Sequence, residues 1–82
     1  MTTTQRIRAV LDSDDSLDPS SVRVALYYDR RTGDYVPELI AARQHGTVSL
    51  AIVRRDLATN AVLPAIVRAR RWAEELGLPC EE

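Results

Sequence analysis

Lysine and phenylalanine are absent from this chain, cysteine and histidine occur once each, glycine only three times, and no apolar run is long. Each shortage removes a class of chemistry. Without lysine no side-chain amine can form a Schiff base or have its pKa tuned downward. All eleven cationic side chains are arginine, permanently ionised planar guanidiniums suited to bidentate contact with carboxylate or phosphate. The single cysteine, Cys80, has no partner for an internal disulfide, which suits a reducing compartment. One histidine and one cysteine cannot assemble a zinc ligand set. Gly33, Gly46 and Gly77 lie too far apart for a phosphate-cradling or dinucleotide loop. No stretch approaches the roughly 20 apolar residues of a membrane span, and the first residues lack the apolar core of a signal peptide. The expected setting is soluble and cytoplasmic, with no membrane, metal or cofactor.

What is present fits one small α+β domain over residues 1–82, with loose ends at 1–3 and 78–82. A chain of this size buries a modest core and leaves little room for a deep substrate cavity. Its charge is unevenly spread. Residues 1–18 carry −2, residues 19–73 carry +5, and residues 74–82 carry −4. A basic middle between acidic ends can meet an anion or pair with its own flanks.

Residues 4–11 read as a short helix in which Thr4 can cap and Ile7, Val10 and Leu11 share a face. An acidic, serine-rich loop follows to Ser21. Residues 22–28 alternate as a strand, and residues 29–34 are turn chemistry with Gly33 at a left-handed position. A four-residue loop then pairs Tyr28 with Tyr35, Leu26 with Pro37 and Val24 with Leu39. One face of that hairpin is apolar throughout, and a shift of one residue would destroy it. A second turn at His45 and Gly46 leads into residues 47–55, with Leu50 opposite Ala41 and Ile52 opposite Leu39. Pro37 is costly in a central strand unless its missing N–H points past the end of the third strand, near Arg54. Residues 37–46 also satisfy a helix, with proline at its start and glycine beyond its end. The strand is preferred because only it uses the hairpin turn. Val62, Ile66, Ala69, Ala73 and Leu76 then form the stripe of a final helix, with Gly77 and Pro79 ending it. The fold class expected is α+β: a short N-terminal helix, a three-stranded antiparallel meander and a C-terminal amphipathic helix packed on one sheet face. That layout resembles double-stranded-RNA-binding and integrase arm-binding domains, but no basic pair opens the final helix, so no family follows from it.

Catalysis finds no constellation. His45 sits in a turn, and no serine or cysteine occupies a nucleophile elbow. Asp12, Asp14, Ser16 and Asp18 imitate the start of a calcium loop, but Leu17 and Arg23 stand where its glycine and glutamate belong. A helix-turn-helix spacing at Ala42, Gly46 and Ile52 is spoiled by His45 and Arg55 at apolar positions. Arginine clusters remain. Arg30 and Arg31 lie at the hairpin tip, Arg54 and Arg55 at a strand end, and Arg68, Arg70 and Arg71 on the last helix. Internal pairing competes for them: Arg23 with Glu38, Arg70 with Glu74, Arg71 with Glu75.

The second sheet face, with Tyr27, Val36, Ile40, Val53 and Arg55, is flat, partly apolar and rimmed by arginine. It is either a partner surface or the seat of the N-terminal helix. The function expected is a small non-enzymatic protein-binding module: a regulator, inhibitor or accessory subunit. Arg23, Tyr27, Arg30, Arg31, Arg54 and Arg55 would meet an acidic, partly apolar protein surface. The alternative is a nucleic-acid-binding regulator using the two arginine pairs. A homodimer through the open face fits so small a core.

Overall fold

In the computed structural model residues 1–81 are described; residue 82, part of the expected loose end, lies outside the described residues. The chain runs α1 (Thr3–Ser13), β1 (Arg23–Asp29), β2 (Asp34–Arg43), β3 (Gly46–Val53) and α2 (Val62–Leu76), with single 3-10 turns at Pro19–Ser21 and Arg55–Leu57. The strands form an antiparallel sheet in the order β1-β2-β3. This is the expected α+β layout.

Local chemistry explains the boundaries. α1 begins earlier than the sequence suggests because Thr2, not Thr4, caps it. Thr2 and Gln5 form a reciprocal capping box, each side chain accepting from the other's backbone N–H. α2 stops at Gly77, whose φ of 68° is left-handed, and the N–H of Leu78 donates to the Ala73 carbonyl at 2.9 Å. Asp18 caps the 3-10 turn before β1. Residues 34–43 are strand rather than helix. The first hairpin has the expected register, with Tyr28 opposite Tyr35, Leu26 opposite Pro37 and Val24 opposite Leu39.

Pro37 sits in the central strand without harm. Its carbonyl accepts the Arg54 N–H at 3.0 Å, so its missing donor also points toward the end of β3. The second hairpin corrects the expectation. Its turn is Gln44 and His45, which places Ala41 opposite Val48 rather than Leu50. A bulge then adds two residues to β3 around Ala51, whose φ is 59°, and restores the anticipated register at Glu38 and Val53. Both registers share one parity, so Leu50 and Ile52 stay inside.

The core lies on one side of the sheet. Val24, Leu39, Ala41, Leu50 and Ile52 meet Ala69, Trp72 and Ala73 of α2. Small alanines at the contact let the helix approach closely. Ile7, Val10 and Leu11 of α1 pack against this same cluster. The N-terminal helix therefore does not cover the second face, and among the described residues no helix does. The tail after α2 is not loose either: residues 79–81 pair in parallel with β1 at Val24.

Candidate functional site

The six arginine and tyrosine residues singled out by the sequence are divided among four places. Arg30 and Arg31 stand exposed at the hairpin tip. Arg31 uses its backbone N–H to bond the Asp29 carboxylate at 2.9 Å. Neither guanidinium has a partner among the described residues. Arg55 joins this end of the molecule, its guanidinium 3.3 Å from Asp29. Tyr27 lies half-buried on the second face.

The other two point elsewhere. Arg23, at the far end of β1, is tied to Glu81 at 2.9 Å and to the Ser21 carbonyl at 3.0 Å. Its partner is thus the tail rather than Glu38. Arg54 grips Asp56 through two bonds of 2.8 and 2.7 Å, and its guanidinium carbon lies 5.6 Å from the Trp72 ring centre. It belongs to the α2 side of the fold. Arg71 makes no ion pair with Glu75; both line a shallow pocket with Arg54, Arg68 and Trp72.

The electrostatics follow these contacts. The backbone N–H of Arg31, and then the Arg55 guanidinium, hold the Asp29 carboxyl below the ordinary aspartate value. Asp56 is lowered by Arg54, while Asp14 and Asp18 are lowered by the hydroxyl and backbone N–H of Ser16 and Ser20. The acidic loop thus spends one oxygen each of Asp14 and Asp18 on its own turns, and the other Asp14 oxygen meets the Arg43 guanidinium at 3.4 Å. His45 is exposed in the second hairpin turn and makes no side-chain hydrogen bond among the described residues.

The second face offers less apolar surface than its composition suggests. Val36 is 1 % and Ile40 7 % exposed, although no helix overlies them. Tyr27 lies directly opposite Val36 on this face.

Apolar exposure is found instead at Leu63 and Val67 on the first turns of α2 and, elsewhere, where β1 meets that helix, with Tyr28 54 % and Val62 50 % exposed. A groove of about 550 Å³ runs here, lined by Leu26, Tyr28 and Tyr35 on the sheet and by Val62, Ile66 and Ala69 on α2. Tyr28 and Tyr35 pack with ring centres 5.2 Å apart and close one end of it. Leu63 and Val67, apolar and four residues apart off the buried stripe, have no role in the core and are not part of this lining.

The chain matches no protein-family model, no curated protein and no solved structure. Among the described residues no helix is long and apolar enough to cross a membrane.

Proposed function

We propose that this chain is a small, non-enzymatic protein-binding module, a regulator, inhibitor or accessory subunit acting in the cytoplasm. The carrying observation is the juxtaposition of two unsatisfied surfaces. The guanidiniums of Arg30 and Arg31, without a partner among the described residues, lie just past Tyr28 in the chain, and Tyr28 lines a partly exposed apolar groove with Leu26, Val62 and Ile66. An apolar centre with a cationic rim suits an acidic, partly apolar protein surface. Arg55 extends the rim, and Tyr27 flanks it on the second face.

Binding to nucleic acid has a weaker basis. Arg23, Arg54 and Arg55 are each paired with a carboxylate, and the whole chain carries −1. Phosphate binding needs several free cations in one place.

The experiment is capture from the source cells with the intact chain, with and without nuclease, beside the Arg30→Ala/Arg31→Ala variant. A discrete protein that survives nuclease and is lost with the double variant supports the module. A ligand that disappears with nuclease, and whose affinity falls steeply with salt, transfers the arginines to nucleic acid. Both arginines are exposed, so the double variant should unfold at the same urea concentration as the parent.

A further inference from the structure

The edge of β1 identifies the manner of docking, on the assumption that the protein-binding reading holds. The N–H of Val24 donates to the Pro79 carbonyl at 3.0 Å, and its own carbonyl accepts the Glu81 N–H at 2.8 Å. Both backbone groups of Val24 therefore point away from β2. In an antiparallel pair this orientation recurs at every second residue, so Leu26 and Tyr28 also turn their N–H and C=O outward. Pro37 gives an independent check. It lies opposite Leu26 and directs its carbonyl to Arg54 on the other side, so the two exchange no backbone bond. Among the described residues nothing meets the outward groups of Leu26 and Tyr28. An open strand edge beside an apolar groove is a template for an added strand.

The tail already demonstrates the track. Residues 79–81 lie extended along β1, and Cys80 packs its side chain against the core. Past Glu81 the same track passes between Leu26 and Tyr28 on one side and Val62 and Ile66 on the other. In a strand laid there, alternate side chains would face α2 and should be apolar. Its far end reaches the hairpin tip, roughly 7 Å beyond Tyr28 at the usual rise per residue. There Arg30 and Arg31 call for carboxylates.

We propose that an extended acidic segment of a partner protein, apolar at alternate positions, adds to the sheet along β1 at Leu26 and Tyr28, in line with the tail.

The probe is a synthetic peptide of about eight residues alternating valine with glutamate, a typical strand length or slightly more. Residue-resolved amide hydrogen exchange on the intact chain is the readout. Saturating peptide should slow exchange at Leu26 and Tyr28 by about tenfold or more, while a valine–lysine counterpart does not. Tyr28→Pro removes one outward donor without touching the β1–β2 ladder and should abolish the protection. Val62→Glu, at an exposed groove position, should do so through charge and lost apolar contact, which keeps the test sharp should the proline variant fold poorly.

Absence of protection at both amides with millimolar peptide overturns the proposal. So does equal protection by the lysine peptide. Protection that appears with protein concentration alone assigns the edge to a second copy of the chain and overturns it as well. If a partner captured from cells is retained by both variants, the docking mode is wrong but the module stands. If no protein partner is captured, the module itself falls.

Discussion

Gly33 ends the first hairpin turn and Gly46 opens β3 after the second, and they face different constraints. Gly33 has φ of +75°, a conformation that side chains rarely adopt, although the space around it is open to within 3.8 Å of the Tyr28 hydroxyl. Gly46 has ordinary backbone, and nothing lies within 4 Å of an added methyl group. Gly33→Ala should therefore lower stability by about 1 kcal/mol through backbone strain, while Gly46→Ala is neutral or slightly stabilising. Urea denaturation of the two variants measures the contrast, and equal midpoints would contradict it. The same scale shows why the arginines were legible only in part. The sequence reveals their type and the turn that exposes Arg30 and Arg31. It does not reveal that Arg23 meets Glu81, fifty-eight residues away. Such pairs depend on where separate elements come to rest, which no local pattern encodes.

Among the elements, β1 and β2 were readable because two signals agreed. A glycine turn and a strict alternation pin the same register, and a slip would have turned the apolar face to solvent. β3 lacked a second signal. Its bulge is carried by Ala51 rather than by glycine, so nothing in the sequence marked the shift. The tail pairing at Val24 was hidden for a related reason: residues 79–81 are too few to form a pattern. α2 shows how small residues set an approach. Ala73 is buried beside Trp72 in the cluster against the sheet. Ala73→Leu should force the helix outward and cost about 1–3 kcal/mol, read as a lower urea midpoint with little change in helical circular dichroism. An unchanged midpoint would mean that the helix is packed more loosely than its burial indicates.

For the molecule as a whole, acid is the informative stress. Asp14, Asp18, Asp29 and Asp56 all have folded pKa values below their ordinary ones. A depressed carboxylate stabilises the fold while pH stays above the unfolded value, about 4, and that contribution is lost as pH falls through the folded value. The melting temperature should thus hold steady from about pH 7 to pH 5 and decline below about pH 4. Added salt should erode the portion due to Asp56 and Arg54, an exposed ion pair, more than that due to the serine bonds of Asp14 and Asp18. A melting temperature that does not fall below pH 4 would show that these carboxylates keep their unfolded pKa values.

The parallel course of the tail beside β1 has a practical consequence for anyone handling the protein. An affinity handle or fluorescent label fused to the end of the chain is tethered within a few residues of Leu26 and Tyr28, where it can act as a competitor at high local concentration. Met1 is 90 % exposed, ahead of a capped helix packed on the β3 side of the core, and is the safer place for it.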